Sequence, residues 1–288
     1  MSDEIKISLA LITSFALAML IAPLIIRMMR ALKAGQPILK YVDKHEGKSG
    51  TPTMGGIIFL LPTAIVTAVF SIGAGKMGIV AMAITLSYGL VGLLDDFLKV
   101  KLRHNEGLKA YQKIIGQLGI GVIATLYCYK NSFIGSTIEL PFCDVTVDIK
   151  WWFLPFCLFI YIAMTNAVNL TDGLDGLVAK SSSVNLVFYI LIIYVCFYKA
   201  IQMGQTFYAE QLLSLEFFAA AMLGGMLAFI WHNNHPAKIF MGDTGSLAMG
   251  GALACFAIFI SQPLIILLTG IMYIVSCISV ILQVVSFK

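Results

Sequence analysis

The chain has 288 residues, of which 59% are hydrophobic and 12% charged, and carries a formal net charge of +4. A soluble domain carries roughly twice that share of charge, so a water-solvated globule is excluded as the first reading and a membrane protein replaces it. The basic residues form no stripe interleaved with aromatics, which argues against a nucleic-acid partner; the six cysteines show no C-x-x-C pairing and read as small packing residues.

In chain order, the segments expected to cross a bilayer are 7–28, 54–72, 77–98, 113–130, 151–168, 184–199, 212–231, 244–261 and 263–286, each near the roughly 20 residues a span requires. Asp3 and Glu4 precede the first segment while Arg27 and Arg30 follow it, the reverse of a cleaved signal peptide, so it reads as a retained anchor. Between 131 and 150, β-branched residues around Pro141 and Asp144 predict a short hairpin. With alternating sides, one face receives fourteen of the 19 basic residues: six from Arg27 to Lys48, five from Lys99 to Lys113, then Lys180, Lys238 and Lys288. The positive-inside rule makes that face cytoplasmic, places the N-terminus outside and puts the hairpin on the extracytoplasmic side. The expected fold is an all-α polytopic membrane protein with about nine transmembrane helices, forming one membrane domain over 1–288 in contact with the lipid bilayer.

Five carboxylates, Asp95, Asp96, Asp172, Asp175 and Asp243, fall at the cytoplasmic ends of these spans. Asp95 and Asp96 close the third span, with Lys99 one helical turn after Asp95. Two carboxylates at membrane depth are costly without a cation or proton to balance them, although a helix end solvated among headgroups is the plain alternative. Asn166, Asn169 and Asp172 recur at intervals of three, which predicts amides and a carboxylate on one helical face; Gly173 and Gly176 then allow tight turns. An ordinary Asx and Gly turn is the rival there. Gly242-Asp-Thr-Gly-Ser246 is expected to open the eighth span, offering free amides to an anion while Asp243 holds a cation or simply caps the helix.

An all-oxygen set beside a diphosphate suits magnesium, which binds through one or two carboxylates plus substrate phosphates. His232 and His235 lack any further zinc ligand at a recognisable spacing and read as plain loop residues. Lys48, ahead of Thr53, and Lys99 are expected to meet phosphate, or else to anchor the cytoplasmic face. Gln283, a lone amide in an apolar run, should face protein or ligand rather than lipid.

Four segments, Lys48-Ser-Gly-Thr-Pro-Thr-Met-Gly-Gly56, Leu94-Asp-Asp-Phe-Leu-Lys99, Asn166-Ala-Val-Asn-Leu-Thr-Asp-Gly-Leu-Asp-Gly-Leu177 and Phe240-Met-Gly-Asp-Thr-Gly-Ser246, stand in the order found in one enzyme family. They resemble the polyprenyl-phosphate N-acetylhexosamine-1-phosphate transferases, and the wording of the first and third resembles the branch with a muramoyl-pentapeptide donor rather than the sister branch that uses UDP-GlcNAc. The resemblance implies transfer from UDP-MurNAc-pentapeptide to undecaprenyl phosphate, giving lipid I and UMP in peptidoglycan synthesis. It also implies Mg2+, a homodimer, and a bacterial plasma membrane with the site facing the cytoplasm. By the same resemblance, Asn166, Asn169, Asp172, Asp175, Phe240 and Gln283 contribute to substrate binding, Phe240 by stacking on uracil, and Lys48, Thr53 and Lys99 meet phosphate or sugar. Family members carry a His-rich stretch and a tenth span beyond the segment resembling Ser276–Lys288, so a truncated chain is expected.

Asp243 is expected to hold the metal against the donor diphosphate. Asp95 and Asp96 are expected beside the lipid phosphate, where one removes its proton or attacks first to form an aspartyl-phosphate. A secondary transporter is the rival from another class, but coupling residues in transporters gather near the bilayer midplane. Here they gather at cytoplasmic ends.

Overall fold

The computed structural model describes residues 2–32, 51–102, 107–141, 143 and 145–286. Its helices are α1 (Asp3–Ala31), α2 (Gly56–Phe70), α3 (Met77–Leu102), α4 (Ala110–Lys130), α5 (Phe153–Thr171), α6 (Leu177–Gln202), α7 (Thr206–Asn233), α8 (Gly242–Phe259), α9 (Ile266–Thr269) and α10 (Ile271–Ser286). The hairpin expected between 131 and 150 is present as β1 (Thr137–Glu139) and β2 (Thr146–Asp148), antiparallel with Ile138 opposite Val147.

This is an all-α polytopic membrane protein. Its outward faces are apolar: on α6, Val184, Phe188, Leu191 and Val195 recur at helical spacing and are all exposed. In water that stripe would be a liability, whereas in lipid it is the expected solvent-facing surface. Among the described residues, six helices, α1, α3 and α5 to α8, are long and apolar enough to cross a bilayer, and α9 with α10 makes a seventh span only if their 75° bend is counted as one crossing. Nine crossings are therefore not reached by length and composition. With 15 residues, α2 spans about 22 Å against a hydrocarbon core of about 30 Å. At the start of α4, Gln112, Lys113 and Gln117 dilute its apolarity.

At the centre lie α7 and α8, buried on nearly every side. Helix α8 packs against α3 and α5, and α7 against α1, α2, α3 and α6. Helices in lipid gain little from hydrophobic exclusion and rely on close backbone approach. Accordingly a Cβ placed on Gly250 of α8 would meet Thr165 Cα of α5 at 2.5 Å, and one on Gly225 of α7 would meet the Phe59 carbonyl of α2 at 3.0 Å.

The two ends of α8 fix the geography of the molecule. At its C-terminal end, Ser261 O accepts from Glu139 N at 2.7 Å and Gln262 Nε2 donates to Glu139 Oε2 at 3.1 Å, docking the hairpin. At its N-terminal end, about 27 Å away for 18 residues, sits Asp243.

Candidate active site

Helix α8 begins at Gly242, and its first amides have no partners inside the helix. Asp96, wholly buried near the end of α3, supplies them: Oδ1 accepts from Asp243 N at 3.2 Å, while Oδ2 accepts from Thr244 N at 2.9 Å and Thr244 Oγ1 at 2.7 Å. A buried carboxylate costs several kcal/mol unless donors surround it, and a helix N-terminus is a favourable place to find them. Such an approach requires two glycines. A Cβ on Gly92 would collide with the Asp243 backbone, and Gly242 adopts φ +72, where its Cβ would also meet Asp96 Oδ2 at 2.5 Å and Thr53 Oγ1 at 2.6 Å.

About two turns before the end of α3, Asp95 faces a different set. Its Oδ1 accepts from Leu108 N at 2.8 Å, and its Oδ2 lies 2.5 Å from Lys99 Nζ, the i, i+4 ion pair that the spacing predicts. Lys99 also reaches Asp243 Oδ2 at 3.1 Å. Asp243 is the hub. Its Oδ2 accepts from Lys113 Nζ of α4 at 2.6 Å, and its Oδ1 from Asn169 Nδ2 of α5 at 2.7 Å; Asn169 Nδ2 also donates to Ser246 Oγ at 2.8 Å.

Four helices thus converge on one carboxylate. Removing two ammonium groups and three carboxylates from water costs several kcal/mol per ion, which their mutual attraction roughly repays. Such a cluster adds little stability, so its presence argues for chemistry. One oxygen each from Asp95, Asp96 and Asp243 lies within 4.8 Å of the others, and these are the metal-competent side chains found among the described residues. The donor set is all oxygen, as hard divalent cations prefer, and the two described histidines, His232 and His235, are not part of it. His232 is not a loop residue as the sequence suggests: it is buried in the last turn of α7, because that helix runs on to Asn233.

The other expected residues divide clearly. Asp172 follows the last residue of α5; burial pushes its carboxyl up to about 7, with the charges of Asp243 and then Asp96 adding to the effect. Thr53 is buried beside Gly242, in a strap whose Pro52 O accepts from Phe240 N at 2.8 Å and whose Gly55 N donates to Phe240 O at 2.9 Å. Phe240 is therefore fixed at the site's edge. Asn166 turns toward α4, where its Nδ2 donates to Gln117 Oε1 at 2.8 Å. Asp175 Oδ2 lies 3.0 Å from His235 Nδ1. Gln283 is exposed on α10 and is not brought to the cluster, and Lys48 lies outside the described residues.

Lys113, Gln117, Thr244 and Ser246 are the contributors that sequence reasoning missed. Lys113 and Gln117 stand one helical turn apart at the head of an apolar helix, a polar stripe that marks an inward face. Lys113 had counted only as a topological charge.

Fold and site together define a polytopic membrane protein with a carboxylate and lysine cluster at one end of its helices, a constellation suited to phosphate chemistry. A family model described as glycosyl transferase family 4 matches residues 77–261, and a phospho-N-acetylmuramoyl-pentapeptide-transferase signature matches residues 48–60. A phospho-N-acetylmuramoyl-pentapeptide-transferase of Thermoanaerobacter sp. (strain X514) is 42% identical over 98% of this chain and 84% of its own length. Proteins of the same name from Clostridium perfringens (strain 13 / Type A) and Halalkalibacterium halodurans are 40% and 37% identical, over 98% and 97% of this chain and 84% and 83% of their own lengths. The chain belongs to glycosyl transferase family 4 and, within it, to the phospho-N-acetylmuramoyl-pentapeptide-transferases.

Proposed function

We propose that this chain transfers phospho-MurNAc-pentapeptide from UDP-MurNAc-pentapeptide to undecaprenyl phosphate, releasing UMP and leaving lipid I. The observation that carries the reading is the meeting of Asp243 with Lys99, Lys113 and Asn169 beside Asp95. In the reaction a lipid-phosphate oxygen bonds to the sugar-linked phosphorus, and the bond from that phosphorus to the bridging oxygen breaks, with UMP carrying away the electron pair. Asp95, next to Lys99, is the carboxylate assigned to accept the acceptor's proton. Asp96, engaged by three donors, is assigned to hold α8 and thereby Asp243. Lys99 and Lys113 neutralise phosphate oxygens.

The carboxylate cluster fits a divalent ion, and Mg2+ is the ion proposed, with Asp243 as its principal ligand. When bound there, it supplies charge neutralisation for the diphosphate and the departing UMP. Phe240, Asp172, Asp175 and Asn169 are assigned to the donor's nucleoside end, with Lys48, Thr53 and Asn166 as further substrate contacts. The reading includes a bacterial plasma-membrane location, a cytoplasmic site and a homodimer. The bias of basic residues toward the loops at the carboxylate end supports that orientation.

UMP release in detergent from paired donors tests the proposal. UDP-MurNAc-pentapeptide with undecaprenyl phosphate and Mg2+ is expected to yield UMP, UDP-GlcNAc none, and EDTA to stop the reaction. Release from UDP-GlcNAc alone, or release that ignores the lipid phosphate, sinks it.

A further inference from the structure

His235 stands in the turn between α7 and α8 with a side chain that is 73% exposed, yet its Nδ1 lies 3.0 Å from Asp175 Oδ2, on a carboxylate whose side chain is only 6% exposed. An exposed imidazole ordinarily has no reason to point inward. Ala237 N donates to the same Oδ2 at 3.3 Å, so one carboxylate oxygen is gripped from two directions. Because an ionised carboxylate only accepts, the ring must carry its proton on Nδ1.

The surrounding contacts stiffen the same junction. Asn233 Oδ1 accepts from Gly176 N at 3.0 Å while its Nδ2 donates to Ile239 O at 2.9 Å, and Lys180 Nζ donates to Asn234 Oδ1 at 2.8 Å. Gly176, at φ +74, turns the chain there so that Asp175 faces the 235–237 turn. From that turn the chain runs directly to Phe240, whose main chain is fixed to the 52–55 strap. The segment that presents the aromatic ring and the loop that presents the carboxylate are therefore tied together, and His235 is one of the groups that hold the carboxylate's orientation.

We propose that His235 is a positioning residue for donor recognition: it fixes Asp175 so that the carboxylate accepts from the imide N–H of a uracil base. A cytosine base offers no such donor at that ring position, so the same contact favours uridine nucleotides. The inference rests on the assignment of Asp175 to the donor's nucleoside end.

Steady-state kinetics of the full chain in detergent test it, with KM for donor and acceptor, kcat, the inhibition constant of UMP and a thermal unfolding midpoint measured for each variant. His235→Ala is expected to raise the donor KM and the UMP inhibition constant by about tenfold, as loss of one charge-assisted hydrogen bond does, with kcat, acceptor KM and midpoint unchanged. His235→Asn, whose amide nitrogen takes the place of Nδ1, is expected to restore the donor KM. The proposal is overturned if His235→Ala leaves the donor KM unaltered, if the Asn variant behaves like Ala, or if kcat and midpoint fall together. Asp175→Ala separates the two levels: no change in its donor KM sinks the underlying assignment, whereas a raised KM beside a silent His235→Ala removes only the role of His235.

Discussion

Asp96 and Glu216 are both carboxylates shut away from solvent, and the molecule treats them in opposite ways. Asp96, in the last two turns of α3, has three donors on its oxygens, whereas Glu216, 1% exposed within α7, has neither oxygen partnered among the described residues. Burial alone does not make a site. What distinguishes Asp95, Asp96 and Asp243 is that each is answered by an amide, a hydroxyl or an ammonium, which holds its geometry in the low-dielectric interior. Glu216 has no such answer and stands as a cost to stability.

Substitutions can break this contrast from either side. Asp243→Ala should have the largest effect, a loss of UMP release on the order of 10³-fold, the scale seen when a preorganised electrostatic contact to a reacting group is removed; near-normal turnover would refute its place as the hub. Lys113→Met comes next, with about 100-fold slower release and Asn169 and Lys99 left to hold Asp243. If turnover survives that change intact, Lys113 is a topological charge after all.

Asp172→Asn sharpens the comparison through pH. The Asp172 carboxyl is pushed up to about 7, above the usual carboxylate range, so the stability linked to it is complete below about pH 4 and is lost as pH rises through 7. The variant lacks that loss. Its unfolding midpoint should match the parent's at pH 4 and exceed it at pH 8, and parallel curves across that range would count against the assignment. Glu216→Gln is the smallest change expected: a midpoint higher by a few degrees with UMP release unaltered, since an amide is cheaper to leave unpaired than a carboxylate. A fall in release would give Glu216 a role that its surroundings do not suggest.

Much of the site was legible because it is local. The Asp95 and Lys99 pair is an i, i+4 contact on one helix, and the Gly242 to Ser246 turn opens α8 as its composition predicts. The junctions that make it a site are not local. Asp243 meets Asn169 across 74 residues and Lys113 across 130, and Thr244 meets Asp96 across 148, separations that no periodicity encodes. Glu216 escaped notice because the surrounding Leu and Phe residues read simply as span. His232 was misplaced because Asn233-Asn234 and Pro236 signal a turn, although α7 persists to Asn233 before the chain bends. The last apolar segment looks like one straight crossing, but its helices, Pro263–Thr269 and Ile271–Ser286, meet at 75° on either side of Gly270.

The missing side chain at Gly92 has a mechanical consequence. Because backbone touches backbone where α3 meets the start of α8, the spacing of Asp95 and Asp243 is set by two rods in hard contact rather than by adjustable rotamers. A bulkier residue at that crossing would act as a wedge, levering the metal-competent oxygens apart while leaving each of them in place on its own helix.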